Sequence, residues 1–421
     1  MFVFGLAHPA AAVHAATVAV GAGQGCATKQ DGSVWCWGDN SFNEAGVGAV
    51  APYVVSTPVA VAPFNAGAVG VGASYGFSLA VKADGSVWGW GADSQFQLGI
   101  SPSPITVFPP AQVPIGPTVV GIAGGYLHAC AVRADHSVWC WGGNFQGQTG
   151  QSAGTLNEVP QRVTLLPGDA AQITAGDRHT CAAMTDNTAW CWGYDVNGQL
   201  GDGLFRAVSA AEPTPEPVTA LGQTVAQISG GFEATCALRL DGSAWCWGYN
   251  ANGQLGDGTT NNNATPVPVS GLGSGVAQVS AGNDFACAVK TDGTVWCWGS
   301  NQEGQLGNGT TTDSPIPVRV GISNVVEVTT PNITGAFACA RKSDRSVWCW
   351  GEDISGQLGD ADPNSTGSAS QMLIKPSPVQ VAGFGPTAPA AVPATPSATA
   401  GLFALLLLAT ATLALGRRRP R

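Results

Sequence analysis

The sequence predicts an all-β fold, a seven-bladed propeller of four-stranded blades, on three observations. All 14 tryptophans fall in seven Trp-x-Trp-Gly units that end at Gly38, Gly91, Gly142, Gly193, Gly248, Gly299 and Gly351, at steps of 51 to 55 residues. Each unit carries four short apolar or alternating runs separated by Gly, Pro and Asp-Gly turns, which is the pattern of four strands. Twelve cysteines form six pairs, each ten positions apart, once per unit in every unit but the second. A repeat of this length cannot bury its apolar face alone and must stack on its neighbours.

The unit beginning at Thr265 reads TPVPVSGLG, VAQVSAG, FACAVKTDG and TVWCWGSNQEGQLGNG. Taken in that order, the Pro-Val run is the first strand, and it recurs near Pro58, Pro114, Pro160, Pro217, Pro268, Pro317 and Pro378. On this phase the chain starts at a second strand (ATVAVGAG, from Ala16) and stops at a lone first strand, SPVQVAGF, from Ser377 to Phe384. The expectation is therefore a ring closed by pairing of the N- and C-terminal strands, which would remove two exposed sheet edges.

The third and fourth strands form a hairpin. Its turn is Asp-Gly at Asp31-Gly32, Asp84-Gly85, Asp241-Gly242 and Asp292-Gly293, but Asp135-His136, Asp186-Asn187 and Asp344-Arg345 elsewhere. A three-residue loop ending in the left-handed region suits Gly and Asn, whereas His and Arg there imply strain or a different turn. With that loop Arg239 pairs with Ser243, and Cys236 stands opposite Cys246, close enough for a disulfide. The same count pairs Cys26 with Cys36, Cys130 with Cys140, Cys181 with Cys191, Cys287 with Cys297 and Cys339 with Cys349. In the second repeat both positions change together, to Leu79 and Gly89, which argues against six pairs of independent buried thiols. Each bond would contribute at most about 2–3 kcal/mol on the chain-entropy account.

Composition narrows the function. The 421 residues include 58 Gly and 28 Pro, only 10% are charged, and the net charge is -10. Four of the 17 basic residues are Arg417, Arg418, Arg419 and Arg421; without them 13 basic face 27 acidic residues. So acidic a body repels phosphate backbones, and no basic patch offsets it, so nucleic acid is not an expected partner. The cysteines lack the Cys-x2-4-Cys knuckle of zinc sites and suit an oxidising compartment.

Units such as CALRLDGSAWCWGYNANGQLGDG (Cys236 to Gly258) and CAVKTDGTVWCWGSNQEGQLGNG (Cys287 to Gly309) resemble the regulator-of-chromosome-condensation repeat, whose pattern is a small apolar strand, Asp-Gly, Trp-Gly, Asn and Gly-Gln-Leu-Gly. The resemblance covers residues 16 to 384. It departs at Asn43-Glu44-Ala45-Gly46, Phe96-Gln97-Leu98-Gly99 and Gly147-Gln148-Thr149-Gly150, which puts the regularity of the early blades in question. Propellers resembling this family serve as nucleotide exchange factors, light sensors and secreted enzyme inhibitors, so the resemblance implies a fold and leaves the function open. Exchange activity on chromatin is opposed by the acidity and the cysteines. Light sensing would rest on the tryptophans, all of which are accounted for as blade framework.

The ends suggest export. Residues 1–15 (MFVFGLAHPAAAVHA) read as a signal peptide whose start lies upstream, with Val13-His14-Ala15 as a cleavage-like triplet but no leading positive charge. Residues 385–397 form a Pro/Ala/Thr linker, and 398–421 hold 19 uncharged, largely apolar positions followed by the arginine cluster. That is long enough to span a bilayer, with the C-terminus cytoplasmic and the propeller outside. Linker, span and basic stop together resemble the sorting tails of bacterial surface proteins, so a sorting peptidase is a candidate partner. Val392-Pro393-Ala394-Thr395-Pro396 departs from a sortase site at Pro396.

No catalytic set assembles, and no cofactor is expected. His136 sits at a turn. His128 and His179 share a repeat position filled elsewhere by Gln24, Phe77, Ala234, Phe285 and Phe337, so they read as packing. Asp195, Asn197 and Asp202 hint at a calcium loop without its full set of oxygen ligands. Binding residues should vary within the fixed unit and lie on a loop. The turn before the third strand qualifies, with Tyr75, Tyr126, Asp177, Arg178, Phe232, Glu233, Asn283 and Asp284 at equivalent places. A ring of aromatic and charged side chains suits protein recognition, and ordinary drift at exposed positions is the plain alternative. The expected function is a monomeric cell-surface or secreted scaffold for a protein or envelope ligand; an inhibitor of a cell-wall enzyme would use the same surface, and an exchange factor or a hydrolase ranks behind both.

Overall fold

A computed structural model describes residues 17–48, 53–102, 105–208, 210–367 and 373–385. They form seven antiparallel sheets of four strands each, spanning residues 18–60, 68–112, 119–162, 170–217, 225–268, 276–319 and 325–380. These are blades 1 to 7, and one 3-10 turn, Thr219–Leu221, accompanies them. In every blade the strands pair in chain order. The first strands of neighbouring blades touch one another and so line the axis. The fourth strand, rich in proline, is the outer edge, where a missing N–H costs no ladder bond.

This order corrects the phase read from the sequence. Each sheet is built from contiguous residues, and the Pro-Val run is the fourth strand of its blade. The terminal run is Ile374–Gln380, which pairs with the preceding Val347–Glu352 (Cys349 opposite Val379). At the other end Val18–Val20 pairs only with Gln24–Thr28. The two termini do not share a sheet, because the Trp-x-Trp-Gly strand takes its partner from the residues that follow it. In the second repeat that partner is Thr106–Gln112, ahead of Pro114.

Blades 1 and 7 instead meet face to face. Val18, Val20 and Trp37 pack with Phe337, Val347, Leu358, Val381 and Phe384 in one buried cluster. Thr17 donates its backbone N–H to Glu327 Oε1 at 2.9 Å across the same seam. A repeated latch holds every seam: the second Trp of each blade is fully buried, and its Nε1–H donates to a backbone carbonyl of the preceding blade at 2.8 to 2.9 Å. The acceptor is the Gln of Gly-Gln-Leu-Gly or its equivalent, Glu44 in blade 1, and Trp37 to Gln357 completes the ring.

All six disulfides join opposed residues of the second and third strands, with Cα atoms 4.0 to 4.1 Å apart. Leu79 stands opposite Gly89 in the blade that lacks one. The hairpin turn is the same in all seven repeats. His136, Asn187 and Arg345 adopt φ of 62°, 65° and 69° where the other four have Gly, so His and Arg bear the strain and the turn is unchanged.

The irregular early repeats also keep the fold. Asn43 and Phe96 take φ of 65° and 60° at the position held by Gly198 and Gly253 in later blades. Glu44 replaces the Gln, and its Oε2 accepts from Phe42 N at 2.7 Å as Gln97 Oε1 accepts from Gln95 N at 2.8 Å.

Candidate binding face

Antiparallel order puts the turn between strands one and two, and the loop between strands three and four, on one face; the Asp-x-Ser/Thr hairpins lie on the other. The eight residues singled out from the sequence all sit on the first kind of turn. Their backbones are laced from blade to blade: Tyr126 N donates to Asp177 O (3.2 Å), Asp177 N to Gly231 O (3.3 Å) and Phe232 N to Gly282 O (3.1 Å). The turns of blades 3 to 6 are therefore one continuous arc around the axis.

Side chains on this face divide into two halves. Tyr75 and Tyr126 meet edge to face with ring centroids 4.8 Å apart. The third-to-fourth-strand loops extend this aromatic half with Phe42 and Phe145, both exposed. From blade 4 onward carboxylates join the face, beside the exposed apolar side chains of Leu204, Phe205 and Val208 on the third-to-fourth-strand loop of blade 4. Asp177 is buried and pairs with exposed Arg178 at 3.2 Å. Glu233 accepts from Asn197 Nδ2 at 2.6 Å, and Asp284 Oδ1 lies 3.4 Å from Gln254 Nε2. Phe232 and Asn283 are half-buried beside them.

Burial pushes the Asp177 carboxyl up to about 6, against the lowering pull of Arg178. Burial also raises Glu233, Asp284 and Glu352, with added repulsion from Asp284 on Glu233 and from Glu303 on the other two. Glu303, Phe42 and Phe145 were missed in the sequence because they lie on the loops of the fixed Gly-Gln-Leu-Gly motif rather than on the variable turn, and Glu352 because it ends the fixed Trp-x-Trp-Gly strand Val347–Glu352.

Blade 7 has no counterpart to these turns. Between Thr330 and Phe337 it carries three more residues than blade 6 has between Ala281 and Phe285. The insertion crosses the axis, where Asn332 Nδ2 donates to Gly124 O at 2.7 Å and to Ala175 O, in blades 3 and 4. Ile333 is buried behind it. The extra length was the available signal, and Pro331-Asn332-Ile333-Thr334-Gly335 forms a plug in the floor of the face.

His128 and His179 are wholly buried in the seams. Each Nε2 lies 2.9 Å from the hydroxyl of a Thr in the next blade, Thr180 and Thr235, and each hydroxyl in turn donates to a Gln carbonyl. The imidazoles must therefore donate from Nε2. Burial drives His128 down to about 3 and His179 to about 4. Phe77 with Ala129 and Phe285 with Ala338 fill the equivalent seams, so His goes with Thr where Phe goes with Ala. Three buried side-chain atoms among the described residues lack a partner: Nδ1 of both histidines and Nε2 of Gln199.

The suggested calcium loop already holds an internal cation. Arg206 binds Asp195 and, at 2.6 Å, Asp202. Blade 7 repeats the arrangement: Asp353, Asp360 and Asp362 converge, and Lys375 Nζ lies 2.8 Å from each of the last two. No helix among the described residues is long and apolar enough to cross a membrane. The signal segment, the linker beyond Gly385 and the tail fall outside the described residues.

A model of the RCC1-like domain matches residues 5–284, and models of the regulator of chromosome condensation (RCC1) repeat match 276–305 and 292–335. The ultraviolet-B receptor UVR8 of Arabidopsis thaliana is 32% identical over 307 residues, 72% of this chain and 68% of that protein. The E3 ubiquitin-protein ligase HERC2 of Homo sapiens is 30% identical over 294 residues, 68% of this chain but only 6% of its own length. Among solved structures, human WBSCR16 superposes with a TM-score of 0.70 over 83% of this chain and 93% of that one, and Prp20p of Saccharomyces cerevisiae with 0.67 over 77% and 81%. Both are 21% identical and speak for the fold alone. With seven sequence units, seven blades and these matches in agreement, the chain belongs to the regulator-of-chromosome-condensation (RCC1) repeat family.

Proposed function

We propose that this propeller is an exported scaffold that binds a protein or cell-envelope ligand through the face formed by its strand-one-to-two turns. The observation that carries the reading is the contrast between frame and turn. Tryptophan latches and cysteine pairs repeat almost without change, whereas the turns they support carry Tyr75, Tyr126, Asp177, Arg178, Phe232, Glu233, Asn283 and Asp284. Rigid elements presenting variable aromatic and charged side chains suit recognition. Six disulfides favour an oxidising compartment. The apolar stretch 398–416 with its arginine stop supports anchoring after export.

The test is capture from the source organism's envelope extract with the full chain as bait, beside a Tyr75→Ala, Tyr126→Ala, Phe232→Ala variant with intact disulfides. Partners retained by the native chain should be lost from the variant. Equal recovery by both would remove this face from the binding account.

A further inference from the structure

The face carries apolar side chains on several blades and a series of carboxylates on blades 4 to 7 alone, and together they specify a partner class. On blades 1 to 3, exposed Phe42 and Phe145 flank the Tyr75–Tyr126 pair. A Cβ on Gly76 would lie 2.9 Å from the Phe42 ring, so Phe42 of blade 1 reaches the Tyr75 turn of blade 2, while a Cβ on Gly143 would lie 3.5 Å from the Phe145 ring, which rests against the end of its own third strand. On blades 4 to 7, five carboxylates follow in series: Asp177, Glu233, Asp284, Glu303 and Glu352. Asp177 feels Glu233, Glu233 feels Asp284, Asp284 feels Glu303, and Glu352 feels Glu303. Arg178 is the cation that acts on the first two. Partly buried like charges in a row leave repulsion that an incoming cation would relieve.

A second observation has the same sign. Nδ1 of His128 and of His179 is a buried acceptor with no donor, because Nε2 carries the proton in each ring. These atoms lie beneath two of the ring turns: a Cβ on Gly125 or Gly176, the glycines that open the Tyr126 and Asp177 turns, would be 2.5 and 2.6 Å from them. Both rings are wholly buried, so these acceptors stay beneath the surface and an incoming cation meets the carboxylates alone.

We propose that this face takes a basic polypeptide segment with an aromatic anchor. The anchor lies against Phe42, Tyr75, Tyr126 and Phe145, and the Lys or Arg side chains lie along the arc from Asp177 to Glu352. The plug at Asn332 floors the site, so the segment crosses the face rather than threading the axis. Aromatic contacts would supply most of the affinity, and the carboxylates the sign and the encounter rate. The inference rests on the proposed use of this face for binding and adds the chemistry of what it binds.

The probe is a short synthetic peptide alternating arginine, tryptophan and glycine, titrated against the full chain. Its comparators carry glutamate for arginine or alanine for tryptophan. The first peptide should bind at least about tenfold more tightly than either comparator, and should weaken as salt screens the arc. Glu233→Gln with Asp284→Asn should cost about tenfold, and Phe42→Ala with Tyr126→Ala should abolish binding. Asp169→Asn, on the opposite face, should change nothing, and disulfide mapping checks that each variant is folded. Equal binding of the glutamate peptide, or no loss in the Glu233→Gln, Asp284→Asn variant, would overturn the inference. Should envelope capture still depend on Tyr75, Tyr126 and Phe232 in that case, the binding face would stand and only its basic partner would fall.

Discussion

Glu44 is the one acidic residue at a position that is Gln in the other six repeats, Gln97, Gln148, Gln199, Gln254, Gln305 and Gln357. It makes the same loop hydrogen bond, but burial, with the nearby Asp39 carboxylate, pushes it up to about 8 from 4.5. The native protein therefore keeps this carboxyl protonated where the unfolded chain has lost the proton. A raised carboxyl favours the fold fully below pH 4.5, and that stability is lost as pH rises toward 8. Glu44→Gln removes this titration while preserving the acceptor. At pH 7 the variant should be more stable by about 3 kcal/mol, since each pH unit above 4.5 costs the native protein about 1.4 kcal/mol. The gain should vanish near pH 4 in urea unfolding curves. Parallel curves across that range would mean that Glu44 titrates normally.

Each cross-strand brace is an element-level device, a hairpin whose second and third strands place a cysteine pair in register. Blade 2 is the one without it: Leu79, buried, faces Gly89, and the Leu79 and Leu98 side chains fill the space the sulfurs would take. A Cβ on Gly89 would lie 2.8 Å from Leu98 Cδ2 and 3.2 Å from Leu79 Cδ2, so Gly89→Cys alone should be crowded and destabilising. Combined with Leu79→Cys, the register matches that of the other six blades. The double variant should form a seventh disulfide and melt higher oxidised than reduced, by an amount equivalent to about 2–3 kcal/mol. A free thiol pair persisting in the purified double variant would show that register alone does not suffice. The six native pairs were legible because one unit could be checked against another, and Leu79 and Gly89 vary as a pair. The aromatic and acidic halves of the face were only partly legible. Tyr75 and Glu233 stand out on a variable turn, while Phe42 and Glu303 hide in a motif whose other members are structural. The plug was not legible, because an insertion shows its length in the sequence but not its direction.

At the scale of the ring, the sequence makes the number of blades plain but conceals where one blade ends. A repeat has the same period whichever strand is counted first, so starting from the Pro-Val run is as consistent as starting from Val18. Hydrogen bonding breaks the tie: Trp348 stands opposite Gln380 and Cys349 opposite Val379, while Val18–Val20 has its single partner in Gln24–Thr28. Closure then depends on side chains, with Val381 and Phe384 of blade 7 buried against Trp37 of blade 1. Ending the chain before Ile374 would open the edge of Val347–Glu352 and strip Val381 and Phe384 from the seam. Burial of two such side chains is worth about 3–6 kcal/mol, so the truncated ring should melt well below the full chain. Hydrogen exchange locates the damage: amides of Val347–Glu352 should lose protection on truncation, while those of Val18–Val20, bonded within blade 1, should keep theirs. Loss of protection at Val18–Val20 with Val347–Glu352 unchanged would restore a blade shared by the two termini, because a terminal strand deprotects first the strand to which it is hydrogen-bonded.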